Sequence, residues 1–284
     1  MYSNGHVGEI ESPFDSNVTI TSQLEKSLQS DLDVLFVTNH NTLDGYDQIT
    51  NYKNNHTKFS KIGVYPAEEV TTDKEAHVLV YGLHKEIKAG QSLDEILDDA
   101  RDQDAVTIAP HPFSLIDALR EDAKKCDLFE VFNSANIDIY SNKKAEIFAK
   151  ENNLHVVAGS DSHVTSTIAR CTNLIDSENN LDDIVYALRH KRISIEKTEY
   201  VKPKEVLEHI QFKIENSKYH IDKYINEFYP KSKFLFNFVY KFYLSTRTSY
   251  FWELIYRMSL ICLLYTSPSP RDATLSRMPS SAWK

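Results

Sequence analysis

Short apolar runs that stop on a polar, chemistry-bearing residue recur through the first two-thirds of this chain, and they restrict its fold more than any other feature. Residues 33–38 run into Asn39-His40-Asn41, and residues 62–65 into Pro66-Ala67-Glu68-Glu69. Residues 105–109 lead to Pro110-His111-Pro112, residues 128–132 to Asn133, and residues 156–159 to Ser160-Asp161-Ser162-His163. Residues 77–81 are of the same kind but carry their histidine, His77, at the start. Runs of this length, rich in β-branched and aromatic residues, predict buried strands.

Helical segments separate them. Ser22 with Glu25, and Ser92 with Glu95, have capping-box spacing ahead of apolar helical faces. Further helices are expected over residues 46–53, 142–150 and 181–189, with another strand over 171–175. Strands alternating with helices predict parallel βα units. In a closed barrel of such units, chemistry gathers at the carboxyl ends of the strands. The competing doubly wound sheet would need a phosphate-binding glycine loop, and neither a Gly-x-Gly-x-x-Gly nor a Walker sequence occurs among only 7 glycines.

Composition narrows the function. A hydrophobic content of 41% and a charged content of 26% are those of an ordinary globular chain. The net charge of -9 argues against a phosphate-backbone footprint, so no stable nucleic-acid partner is expected. Cys126, Cys171 and Cys262 have no paired spacing, which speaks for a reducing, cytoplasmic setting. Gly-x-Ser-x-Gly is absent, so no nucleophile elbow competes for the chemistry. The strand ends offer His40, Glu69, His111, Asn133, Asp161 and His163, a set of nitrogen and oxygen donors suited to divalent cations.

The ordered set Thr38-Asn39-His40-Asn41-Thr42, Glu68-Glu69-Val70, His77-Val78-Leu79, Ala109-Pro110-His111-Pro112-Phe113, Glu130-Val131-Phe132-Asn133 and Gly159-Ser160-Asp161-Ser162-His163 resembles the PHP family, named for polymerase and histidinol phosphatase. The resemblance covers roughly residues 1–195. It implies an α/β fold, a distorted seven-stranded βα barrel with its first strand largely missing. It also implies two or three divalent metal ions (zinc, manganese or iron) and hydrolysis of a phosphoester by a hydroxide held on the metals. Carried over by position, His40, Glu69, His77, His111, Asp161 and His163 are metal ligands, with Glu69 bridging two metals at the catalytic centre. Glu69 is preferred to Glu68 because it directly precedes the β-branched Val70.

Glu130 and Asn133 line the same rim, either on the substrate or fixing loops. Arg170 is a candidate phosphate clamp or a surface residue. Ser3-Asn4-Gly5 resembles the family's Ser-Asp-Gly, so the expected His-x-His falls just upstream of Met1 and Asn4 stands at a metal position. Asn4 and Asn39 replace the family's usual aspartates, and an amide is the weaker ligand. His209 and the other remaining histidines match nothing and are read as structural or solvent-facing.

Three parts are expected: a metallohydrolase barrel over 1–195, an aromatic-rich helical extension over 196–262, and a non-native disordered tail over 263–284 resembling translated adapter sequence. The extension is read as a cover packed on the barrel in preference to a membrane-surface helix. The leading functional expectation is a metal-dependent phosphoesterase acting on a small phosphorylated metabolite or nucleotide. The alternative is a degenerate barrel that binds metal or ligand as a sensing or scaffold module.

Overall fold

The computed structural model describes residues 5–7, 10–12, 16–136, 138–247 and 250–266. Asn4 and the chain beyond Thr266 lie outside the described residues, so the expectations for them are not addressed by the fold. In chain order the elements are β1 (Gly5–Val7), β2 (Ile10–Ser12), α1 (Ile20–Gln29), β3 (Val34–His40), α2 (Asp44–Asn54), β4 (Gly63–Thr71), β5 (His77–Tyr81) and α3 (Leu93–Asp102). Then come β6 (Val106–Ala109), β7 (Leu128–Asn133), α4 (Ile139–Asn152), β8 (Val156–Gly159), β9 (Thr172–Ile175), α5 (Leu181–Arg189) and β10 (Ile193–Lys197). Four helices follow: α6 (Pro203–Asn216), α7 (Lys218–Phe228), α8 (Lys233–Thr246) and α9 (Tyr250–Thr266).

Local chemistry sets the boundaries. Thr19 caps α1 by accepting from the Ser22 backbone N–H at 3.1 Å, one turn earlier than the Ser22/Glu25 pairing suggested. Ser92 and Glu95 form the expected reciprocal box at the start of α3. β10 is a strand that the apolar pattern did not reveal, because Glu196 and Lys197 interrupt it.

The main sheet has six strands in the order β3-β4-β5-β6-β7-β8. Among the described residues it curls into half a barrel of six strands, and the expected seven-stranded barrel, its first strand largely missing, is not confirmed. Nor is it all parallel. β5 runs antiparallel to both β4 and β6, while β3 with β4, and β6 through β8, are parallel. This reversal explains the odd position of His77. In register it sits opposite Thr71, so the beginning of β5 lies at the rim where β3 and β4 end.

Side-chain alternation then divides the core. Val34, Phe36, Tyr65, Leu79 and Tyr81 face inward and pack with Ile184 and Leu188 of α5. Val70, Val78, Val80, Ala109 and Phe129 face outward against Ile96 and Ala100 of α3 and Ala145 and Ala149 of α4. β9 and β10 form a separate antiparallel pair, tied to β8 by the Asn173 amide. That side chain donates to the Ala158 carbonyl at 2.8 Å and accepts from the Ala158 N–H at 3.0 Å.

The helical extension behaves differently from the expected cover. On α8 only Tyr243 is buried, and large apolar side chains of α8 and α9 stand in solvent. Among the described residues no helix is long and apolar enough to cross a membrane.

Candidate metal centre

Register builds the site. His40 of β3 and Glu69 of β4 are direct partners, and His77 lies diagonally across from Glu69 on the same face. His111 arrives from the exit of β6. The three imidazoles converge on one carboxylate. His77 Nδ1 is 3.0 Å and His111 Nε2 is 3.4 Å from Glu69 Oε1, while His40 Nε2 faces Oε2 at 3.7 Å.

A second group stands across the same cavity, whose volume is about 320 Å³. Asp161 and His163 follow β8, with His163 Nδ1 3.5 Å from Asp161 Oδ1. Asn133 joins the two groups: its amide donates to Glu130 Oε2 at 2.9 Å and to Asp161 Oδ2 at 3.3 Å. Residues three apart on a regular strand point to opposite faces. A register shift between Glu130 and Phe132 removes that restriction and brings both Glu130 and Asn133 to the cavity.

The backbone at the rim is unusual. His111 has φ 29° and Asp161 has φ 46°, both in the left-handed region that side chains with a Cβ rarely adopt. His111 also precedes Pro112, which disfavours helical conformations. The Glu130 carboxylate holds this turn by accepting the His111 N–H at 2.6 Å. Gly159 makes room for that carboxylate, since a Cβ there would collide with it.

Electrostatics follows from burial around one anion. Burial alone would push Glu69 up, yet the charges of His40 and His77 and hydrogen bonds from His111 and His77 hold it well below the usual carboxylate range. Burial would lower His111, but its bond to Glu69 and the charges of Asp161, Glu69 and Glu130 push it up to about 9. His77 is likewise raised by Glu69 against the effect of burial. Burial pushes Glu130 up to about 7, opposed by His111 and by the two hydrogen bonds it accepts.

The donor set fits a divalent cation. His40, Glu69 and His77 each offer a ligand atom, and all three lie within 4.8 Å of one another. The imidazoles pair with the carboxylate that would share a metal with them.

The structure bears on two further expectations. The Arg170 guanidinium is occupied by Glu199 at 2.8 Å and by Glu205, and it does not line the cavity, so the structure does not support a phosphate clamp there. His209 of α6, read as structural or solvent-facing, stacks on His163 with ring centroids 4.5 Å apart and planes at 26°. No sequence signal marks it, because it comes from a helix outside the barrel and its role depends on how that helix docks.

Comparisons with known proteins agree with this layout. The model of the PHP-associated family matches residues 140–193, from α4 through the start of β10. The uncharacterized protein MJ0417 of Methanocaldococcus jannaschii is 28% identical over 169 residues, 56% of this chain and 65% of that protein. The chain thus matches just under two-thirds of the relative's length. PsfC from Pseudomonas syringae shares the fold with a TM-score of 0.50 at 17% identity, covering 68% of this chain and 88% of that one.

Two further similar structures are nucleases. The lesion-specific endonuclease PfuEndoQ from Pyrococcus furiosus aligns at 14% identity and a TM-score of 0.48, over 69% of this chain and 56% of its own. An Endonuclease Q bound to a 27-mer duplex with an abasic lesion at its active site aligns at 13% and 0.42, over 60% and 51%. DNA is a substrate of those proteins; for this chain the expectation that a nucleic-acid partner is absent is withdrawn, because net charge cannot decide it where charge is distributed locally. The family match falls on the segment that carries Asp161 and His163, the last two of the strand-end residues that resemble the PHP family.

Proposed function

We propose that the protein is a metal-dependent hydrolase of phosphoesters, with its metals held by His40, Glu69, His77 and His111 on one side of the cavity and Asp161 and His163 on the other. The observation that carries this reading is the convergence of three imidazoles on the buried Glu69 carboxylate. Divalent cations bound there would polarise the phosphoryl oxygens and make a water nucleophilic near neutral pH. Glu69 supplies the central negative charge and stays ionised. Glu130 fixes the His111 turn through its backbone N–H and orients Asn133 toward Asp161. The cavity is apolar below the rim, lined by Phe36, Leu79 and Ile108, so the reacting end of a substrate would be held away from bulk water.

The substrate class is proposed as a phosphorylated small metabolite or nucleotide, and nucleic acid is kept in the same test. Purified protein loaded with manganese or zinc is assayed on an aryl phosphate, a nucleoside monophosphate and a duplex containing an abasic site. Metal-dependent cleavage of any of them, abolished by a chelator, supports the hydrolase, and the preferred substrate identifies the class. A folded, metal-loaded protein that cleaves none of them would sink the reading and favour a metal-binding sensor or scaffold.

A further inference from the structure

We infer that α8 and α9 form a peripheral docking surface for anionic lipid membranes. Phe234, Phe238 and Phe242 recur every fourth residue and so share one face of α8. Phe234 is 84% and Phe238 63% exposed. On α9, Tyr250, Leu254, Met258 and Ile261, spaced by three or four residues, make a second stripe, with Tyr250 83% exposed and the others also in solvent. The two helices meet where Phe242 and Phe251 pack edge to face, with ring centroids 5.6 Å apart. Trp252 fixes the junction on its other side. Its indole N–H donates to Thr246 Oγ1 at 2.9 Å, and its ring lies 5.4 Å from that of buried Tyr243. Exposed apolar area of this extent marks an interaction surface.

Charge selects the occupant. Across residues 230–262 the ionised side chains are Lys231, Lys233, Lys241, Arg247 and Arg257 against Glu253 alone, whereas the whole chain carries a net charge of -9. Lys231, Lys233 and Lys241 are exposed and have no ion pair among the described residues. On a helical projection Lys241 borders the Phe234–Phe238 stripe, and Arg257 borders that of Tyr250 and Leu254. Apolar stripes flanked by bases are the composition of helices that lie in the interfacial plane of an anionic bilayer. Neither helix is long and apolar enough to span one.

A second copy of the chain is a poorer fit. A two-fold contact would set each basic segment against its own equivalent. Nucleic acid fits less well too: the rings of Phe234, Phe238 and Tyr250 could stack on bases, but the exposed aliphatic Leu235, Leu254, Met258 and Ile261 among them match an acyl boundary and not a phosphate backbone. The inference stands apart from the hydrolase reading, since no residue of the metal centre enters it.

The test is co-sedimentation of the full chain with vesicles of phosphatidylcholine alone or of phosphatidylcholine and phosphatidylglycerol in equal parts. Binding to the anionic vesicles should exceed that to neutral ones by about tenfold or more. It should fall several-fold as NaCl rises from about 0.1 M to about 0.5 M. The exposed pair Phe234→Ser/Phe238→Ser should remove it, and Lys231→Glu/Lys233→Glu/Lys241→Glu should remove its lipid selectivity, with circular dichroism confirming that both variants fold. The inference is overturned by no pelleting of folded protein, by equal binding to neutral vesicles, or by full binding of the phenylalanine variant. A dimer that the phenylalanine variant dissolves, without vesicle binding, overturns it as well and assigns the surface to a second copy.

Discussion

Glu68 and Glu69 are neighbours on β4, both buried, and they live in opposite environments. Glu69 points into the half-barrel among His40, His77 and His111, which hold it ionised. Glu68 points outward into the layer between sheet and helices, where Oε2 accepts the Ile87 N–H at 3.0 Å and Oε1 has no hydrogen-bond partner among the described residues. Burial pushes its carboxyl up to about 7, with the nearby charge of Glu86 adding to the effect. The same side chain is therefore a candidate metal ligand in one position and a core group that is partly protonated near neutral pH in the next. What separates them is the two-residue alternation of a strand, not residue type.

The strongest way to break this comparison is to remove each charge in turn. Glu69→Gln should abolish tight metal binding in calorimetric titrations and lower any phosphoesterase rate by at least about a hundredfold, the scale of losing one electrostatic stabiliser of a transition state. Glu68→Gln should leave both unchanged. Equal losses from the two would mean that position on the strand does not distinguish them.

A pH titration examines the inward side further. His77 and His111 are raised by Glu69, and both must be neutral to ligate a cation. Metal addition near pH 7 should therefore release protons into a weakly buffered solution. Affinity should rise with pH up to about 9, by at most about tenfold per pH unit for each proton released. Metal uptake without proton release would show that these imidazoles are not ligands.

The outward side makes the opposite kind of prediction, in stability. Glu68 has a folded-state pKa above its unfolded value, so the native state binds more protons between about pH 4.5 and pH 7. Its contribution is present below that window and is lost as pH rises through it. A shift of this size corresponds to roughly 3 kcal/mol as an upper bound. Thermal melts of Glu68→Gln should show a gain over the natural chain at pH 8 that shrinks toward pH 5, and a constant difference would remove Glu68 from the account.

The smallest expected effect asks how far the inward environment extends. His209 stacks on His163 from α6, so His209→Ala should weaken metal binding by about tenfold, in the range for groups that orient a ligand. His209→Phe, which keeps the stack, should restore it. No change in either variant would confine the site to the barrel.

Much of the layout was legible in order along the chain. Strand ends bearing His40, Glu69, His111 and Asp161 stand out because apolar runs stop abruptly there, and the capping box at Ser92 announces α3 without any tertiary information. Other parts were not legible. The reversal of β5 leaves no local trace, since the apolar pattern of His77–Tyr81 is the same whichever way the strand runs. The pairing of Arg170 with Glu199 and Glu205, and the approach of His209, depend on how α6 packs on the barrel. The register shift beside Glu130 is equally silent, although it decides that Glu130 and Asn133 share a face.

By itself the sequence determined which residue types stand at the ends of the strands, because burial demands apolar runs and chemistry demands polar exits. Only the tertiary structure decided which of those exits meet. The half-barrel has six strands among the described residues, and its register sets His40 opposite Glu69 and His77 diagonal to it. Hydrogen-bond register is a relation between segments distant in the chain, fixed by the packing of the whole sheet, and so no single segment can encode it.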